Sequence, residues 1–212
     1  PNLGMHLGIP LFPTTLHDVL KKKAHVSEAI YKNKKNDLKI IPAGISINDL
    51  RGVDARDLPN ALLDLLGNTD IVLVDAAAGL GREAMSALES CDELLVVSTP
   101  EMPAATDALK AIKLAEQAGT KVHGVIVNRV NNKNHELNEG ELQDMFEGIQ
   151  IIAKIPEDSV VSESISEKTP IVNYKPKHKV SKNIRQVASY LVGEEYTPQK
   201  PWHKRLFGFL FK

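Results

Sequence analysis

Apolar residues gather in short runs along this chain. Four runs stand out: Leu38-Lys39-Ile40-Ile41, Ile71-Val72-Leu73-Val74, Leu94-Leu95-Val96-Val97 and residues 122–127. A fifth, at 149–155, is broken by Gln150 and Lys154. The middle runs are almost continuously apolar and rich in Val and Ile, the pattern of parallel strands buried on both faces. Between them the period changes. Residues 58–66 place Leu62, Leu63, Leu65 and Leu66 on one stripe, and residues 103–118 repeat Ala105, Ala108, Leu109, Ile112 and Ala115 at three-four spacing. Pro103 suits a first helical turn and Gly119 a helix stop. Two further helical patterns follow, Leu142, Met145, Phe146 and Ile149, then Ile184, Val187, Ala188 and Leu191. Strand and helix alternate, which predicts an α/β domain with a mostly parallel central sheet flanked by helices.

From Gly193 the pattern breaks. Residues 193–201 are polar, carry Glu194 and Glu195, and contain Pro198 and Pro201, the composition of a flexible linker. The last eleven residues hold four of the ten aromatics of the chain. On a helical wheel Trp202, Leu206, Phe209 and Leu210 share a face that Phe207 and Phe211 extend, while Lys204, Arg205 and Lys212 gather opposite. Such a segment lies in the plane of an anionic membrane surface and does not span it. The expected organisation is an α/β domain over 1–192, a linker over 193–201 and an amphipathic membrane-targeting helix over 202–212.

Composition narrows the reading only slightly. Of 212 residues, 42% are hydrophobic and 25% charged, with a net charge of −1. That balance gives no overall field for nucleic acid, so DNA is not an expected partner. The lone Cys91 makes no internal disulfide and suits a reducing compartment. No run reaches the length of a transmembrane helix. The chain opens on Pro1 without an initiator methionine or a signal-like stretch, so the expectation is that it begins inside a longer protein.

Three segments carry candidate chemistry. Ile71-Val72-Leu73-Val74 ends in Asp75, with Gly79 four residues on. Ligands of open α/β sheets bind beyond the carboxyl ends of strands. An acid there can hold Mg²⁺ directly or through water, and a glycine lets a backbone N–H approach a phosphate. Equally, Asp75 could cap the turn before a helix. Residues 124–127 run into Asn128 and Arg129; Asn matches the edge of an adenine and Arg stacks or pairs with an acid, although a surface turn explains both. Ile155-Pro156-Glu157-Asp158 closes the last strand, and its acids alone read as turn formers. The seven histidines show no metal-ligand spacing, and Ser98 and Thr99 lack triad partners.

Taken in order, these segments resemble the MinD branch of the ParA/MinD deviant-Walker ATPases. Asn2-Leu3-Gly4-Met5-His6-Leu7-Gly8-Ile9 resembles the stretch after that family's switch I aspartates, Asp75-Ala76-Ala77-Ala78-Gly79 its switch II, and Ser98-Thr99-Pro100-Glu101 the turn after the next strand. Asn128-Arg129 and Pro156-Glu157-Asp158 resemble its adenine corner, and Trp202, Lys204-Arg205-Leu206-Phe207-Gly208, Phe209, Leu210, Phe211 and Lys212 its membrane-targeting helix. The resemblance implies a P-loop NTPase fold that binds ATP and Mg²⁺, with Asp75 at the Mg²⁺ hydration shell, Gly79 at the γ-phosphate, and Asn128, Arg129, Pro156, Glu157 and Asp158 around the base. It further implies an ATP-dependent homodimer, slow hydrolysis, a division-regulator protein partner, and a cytoplasmic protein that is peripheral on the inner face of the cell membrane. The family's phosphate loop and switch I acids have no counterpart in the sequence, so the expectation places them before Pro1 and assigns no catalytic residue to this chain. Switch II reads Asp-Ala-Ala-Ala-Gly where many relatives have Asp-Ser-Pro-Ala-Gly. Two other classes remain open on the sequence alone: a non-catalytic membrane-tethering scaffold, and a ParA-like partition ATPase.

Overall fold

The computed structural model of the chain describes residues 3–6, 12–32, 38–44, 52–76, 79 and 81–194. The first half is built of short pieces. Helices α1 (Leu3–His6) and α2 (Leu16–Leu20) precede a two-stranded antiparallel ribbon, β1 (Tyr31–Lys32) with β2 (Lys39–Ile40). Helices α3 (Leu58–Leu63) and α4 (Arg82–Glu89) follow. The Leu38–Ile41 run therefore makes a ribbon of two-residue strands and not a strand of the main sheet.

The second half carries the sheet. Strands β3 (Glu93–Ser98), β4 (Lys121–Val130) and β5 (Ile151–Pro156) lie parallel in the order β3-β4-β5. Helix α5 (Met102–Ala118) connects β3 to β4, and α6 (Glu139–Met145) connects β4 to β5. Parallel neighbours need such crossovers. Both helices pack on one core cluster, where Ala105, Ala108, Ile112, Leu142 and Phe146 meet Val96, Val125 and Val127. Phe146 is fully buried and Leu142 is 2% exposed, and burial of each side chain is worth about 1.5–3 kcal/mol. Helix α5 begins with Pro103 in its first turn and stops at Gly119, as its spacing predicts.

A third group of helices closes the chain: α7 (Ser159–Ser166), α8 (Ile171–Tyr174) and α9 (Lys179–Val192). Val160, Ile171 and Val180 form their core, with Ile155 of β5 against it. Gly193 ends α9 at φ +71°, where Gly193 N–H bonds Tyr190 O and Glu194 N–H bonds Ser189 O at 2.9 Å. That pair of bonds is a Schellman stop, which needs the left-handed conformation that glycine adopts freely. Residues 195–212, with most of the linker and the whole expected membrane helix, lie outside the described residues.

Within the sheet, Gly124 sets the spacing of β4 and β5. A Cβ there would lie 2.6 Å from Ile152 Cδ1 and 2.8 Å from Gln150 O. The preceding His123 is the extra residue of a bulge opposite Leu94 and Leu95, and its ring packs edge-on against Tyr190 of α9 with centroids 5.1 Å apart.

Several expectations need correction. Residues 71–76 form no strand, and Ile71, Val72 and Leu73 are exposed, Leu73 by 81%. A parallel strand exists only with a neighbour, and among the described residues nothing pairs with this segment. For the same reason β3 is not buried on both faces: among the described residues it pairs only with β4, and Val97 is 60% exposed. The 58–66 stripe is also shifted. Leu58, Ala61 and Leu65 are buried, whereas Leu63 and Leu66 are exposed, because the helix ends at Leu63 and the chain turns. On α9 the buried face is Val180, Ser181 and Val187, and Ala188 is exposed. Among the described residues no helix is long and apolar enough to cross a membrane.

Candidate nucleotide-binding corner

The carboxyl ends of β4 and β5 meet at a pairing of Val130 with Pro156. Glu157 N–H then bonds Val130 O at 3.1 Å and ties the two strand exits together. Three residues of β4 lead into this corner. Val127 is fully buried, Asn128 is half-buried, and Arg129 is exposed. The backbone turns at Arg129, which sits at φ +60°. A non-glycine residue in this left-handed region carries a steric cost of roughly 1–2 kcal/mol.

That turn aims the guanidinium across the strand exits. Arg129 Nε donates to Glu157 Oε2 at 2.6 Å. The bond to Glu157 raises the guanidinium pKa above its usual value. The loop beyond is held by Glu136. Asn131 N–H donates to Oε1 at 3.0 Å and Asn132 N–H to Oε2 at 2.8 Å. Burial alone would raise the Glu136 pKa, but these backbone donors leave it below the usual carboxylate value.

On the other side of the corner, Asp158 is the N-cap of α7, and its Oδ1 accepts from Val160 N–H at 3.0 Å. The acids of this segment are thus not loose turn formers. One is paired and the other caps a helix. The capped end also faces an imidazole, with Asp158 Oδ2 lying 3.6 Å from His178 Nε2. Sequence reasoning missed His178. It lies six residues before Ile184, the first of the periodic positions that mark α9, and so carried no sequence signal of its own.

The structure brings Asn128, Arg129, Pro156, Glu157 and Asp158 into one corner. An amide that can donate and accept, next to a guanidinium and a rigid proline, suits the edge and face of a purine. No hydrogen bond or ion pair among the described residues joins Asp75 or Gly79 to it. Asp75 is exposed, and Gly79 sits at φ +88° with open space where a Cβ would be. Nor does Asp75 cap the next described helix, since the N-cap of α4 is Gly81. Ala77 and Ala78 lie outside the described residues. Among the described residues no cluster of three or more His, Cys, Asp and Glu side chains forms a metal cage. Cys91 is half-buried, and burial raises its thiol pKa, as befits a structural residue.

A parallel α/β sheet with polar groups gathered beyond its strand ends has the architecture of the nucleotide-binding α/β proteins. Comparison with known proteins narrows it. Residues 50–192 match the ParA family, whose description reads NUBPL iron-transfer P-loop NTPase. An uncharacterized ATP-binding protein of Methanocaldococcus jannaschii is 34% identical over 97% of this chain and 77% of its own length. The septum site-determining protein MinD of Thermotoga maritima is 30% identical over 91% of this chain and 73% of its own. Among solved structures, MinD of Pyrococcus horikoshii in complex with Mg-ADP superposes with a TM-score of 0.85 at 33% identity, over 90% of this chain and 78% of that one. The MinC:MinD complex of Aquifex aeolicus gives 0.81 at 27% identity, over 94% and 81%. The chain belongs to the ParA family of P-loop NTPases, on its MinD-type branch.

Proposed function

We propose that this chain is the greater part of an ATP-switched, membrane-associating ATPase of the cell-division positioning type. The observation that carries the reading is the corner at the carboxyl ends of β4 and β5. Five residues singled out for adenine recognition converge there on two adjacent strand exits. Mg-ADP in the Pyrococcus relative supports a magnesium nucleotide as the ligand. When bound, Mg²⁺ would supply positive charge against the phosphates. Asp75 would hold its hydration shell, and Gly79 would let a backbone N–H approach the terminal phosphate.

The phosphate loop and switch I acids belong, on this reading, to a segment that precedes Pro1. The edge of β3 that is unpaired among the described residues supports it. Val97 on that edge and the unpaired Ile71, Val72 and Leu73 are all exposed. One further parallel strand between them would pair both and bury their apolar surface. Without those groups, residues 1–212 should neither bind ATP tightly nor hydrolyse it, since P-loop affinity rests on backbone N–H groups and a lysine of that loop.

The ATP state is a homodimer in which two tails act together. A single tail over 202–212 binds an anionic bilayer weakly, because the apolar side chains and cations that favour it must also order a short helix. Two tails on one dimer bind far more tightly. Nucleotide would thereby control residence on the inner face of the membrane. The MinC:MinD complex supports a division-regulator protein as partner. Turnover of the full-length protein tests the site. Asp75→Asn is expected to abolish hydrolysis with the fold retained, and Asn128→Ala to erode the preference for ATP over GTP. Normal turnover in the first variant would remove Asp75 from the magnesium site. An unchanged ATP/GTP ratio in the second would remove Asn128 from the base pocket.

A further inference from the structure

Two consecutive carboxylates at the end of β5 are each engaged by a nitrogen from a different element. Glu157 is met by Arg129 from the end of β4 at 2.6 Å. Asp158 is met by His178, the residue before α9, at 3.6 Å. The first pair belongs to the corner already described. We propose that the second makes His178 a positioning residue for base recognition, one that acts through Asp158 and touches no nucleotide itself. The proposal rests on the reading of Asn128, Arg129 and Pro156–Asp158 as a base corner.

The imidazole is oriented from both ends. Its Nδ1 accepts from Val180 N–H at 3.4 Å as the N-cap of α9. With Nδ1 turned to that N–H, Nε2 is the ring nitrogen that faces Asp158 Oδ2. The His178 backbone is fixed as well: its N–H bonds Lys175 O and its carbonyl accepts from Lys182 N–H, each at 3.0 Å. Behind it the start of α9 is anchored by Ser181, fully buried, whose Oγ lies 2.7 Å from Lys175 O and 3.0 Å from Ile171 O. The nearby Lys175 ammonium feels the charge of Asp158 but forms its hydrogen bond elsewhere. Lys175 Nζ bonds Glu163 Oε2 at 2.8 Å, and that bond raises its pKa.

The caps of two helices are thus linked across one gap. Asp158 holds the first turn of α7 with Oδ1 and presents Oδ2 to the cap of α9. At 3.6 Å the contact is electrostatic and not a formed hydrogen bond, so its contribution is modest. Its position gives it leverage. Pro156 ends β5 and Asp158 caps α7 two residues on, so Asp158 fixes the far end of the turn that begins at Pro156. A turn free to rock would hold ATP less tightly and would discriminate less sharply between purine edges.

A double-mutant cycle in the full-length, nucleotide-binding protein tests this. Asn is a good N-cap, so His178→Asn keeps the cap of α9 yet is too short to reach Asp158. Asp158→Asn keeps the cap of α7 and removes the charge. Calorimetry with ATP and with GTP, alongside urea unfolding, reads affinity, base preference and stability separately. Each single variant is expected to weaken ATP binding by about two- to fivefold and to lower the ATP/GTP ratio, with the double variant no worse than the weaker single one. An unchanged ratio in His178→Asn, or strictly additive losses, would overturn the role of His178. Loss of stability with the ratio intact would make it a structural residue only and would equally overturn it. Asn128→Ala serves as the control. If Asn128→Ala shifts the ratio and His178→Asn does not, the base corner stands and the His178 proposal falls. If neither shifts it, the base corner itself falls.

Discussion

Arg129 reaches from a left-handed backbone position at the end of β4 to bond Glu157 at the end of β5, Nε to Oε2 at 2.6 Å. The pair is largely exposed, so it contributes little to stability, about 0–1 kcal/mol. What it does is fix a guanidinium beside Asn128 at the mouth of two strands. The strain at φ +60° is thereby coupled to the site and not to the core. Replacing Arg129 by glycine should relieve that strain. In urea unfolding, Arg129→Gly is expected to be at least as stable as Arg129→Ala, by about 0.5–1 kcal/mol. A less stable glycine variant would show that the backbone at 129 is not strained.

Gly124 makes the opposite prediction. A Cβ there meets Ile152 Cδ1 at 2.6 Å, which the side chain could yield, and Gln150 O at 2.8 Å, which the backbone cannot. Gly124→Ala should destabilise the domain by about 1–3 kcal/mol. It should also disturb the strand exits that carry Asn128 and Glu157. Denaturant midpoints near those of the parent protein would mean that β4 and β5 approach less closely than these distances require.

The fold was legible where one element supplied its own signals. Apolar runs of Leu and Val marked β3 and of Val and Ile marked β4, and Pro103 and Gly119 bracketed α5. Ile71-Val72-Leu73-Val74 carries the same apolar signal and is not a strand. Hydrophobic pattern marks a segment as ready to pair, while pairing depends on a neighbour, and among the described residues β3 pairs only with β4. The candidate site residues stood out only weakly as polar groups at the ends of apolar runs, and their roles came from the family resemblance. His178 did not stand out, because the Asp158 it faces is distant along the chain and histidine is not among the favoured N-caps. Only the folded arrangement of α7 and α9 brings the two together.

The exposed edge of β3 leads to a paired prediction. In residues 1–212 alone, Val97→Asp should be nearly neutral in thermal unfolding, since Val97 is 60% exposed. In the longer protein the same change should cost more than the about 1.5–3 kcal/mol of a buried valine, because a carboxylate would be buried in its place. Equal effects in the two proteins would contradict the proposal that a preceding strand covers this edge.

Asp54 provides a check on local electrostatics. It caps the short 3₁₀ turn Ala55–Asp57 and bonds Arg56, whose guanidinium lowers the carboxyl from 3.8 to about 2. A lowered folded pKa means that the contribution is present above pH 3.8 and is lost as the pH falls through 3.8 toward 2. The side chain is exposed, so the effect on stability is small. Titration by NMR should place its midpoint near 2 and return it toward 3.8 in Arg56→Ala. A midpoint near 3.8 in the parent protein would show that the pair is open in solution.

In the proposed function, nucleotide governs membrane residence through the tail over 202–212. Co-sedimentation of the full-length protein with anionic liposomes measures this most directly, in ATP and in ADP, for the parent protein, Phe207→Glu and a chain ending at Pro201. The parent protein should sediment with ATP and remain largely free with ADP, because two tails bind together only in the dimer. Both variants should remain free in either nucleotide. Equal sedimentation of all three proteins would show that the tail is not the anchor, and equal binding of the parent protein in ATP and ADP would contradict the switch.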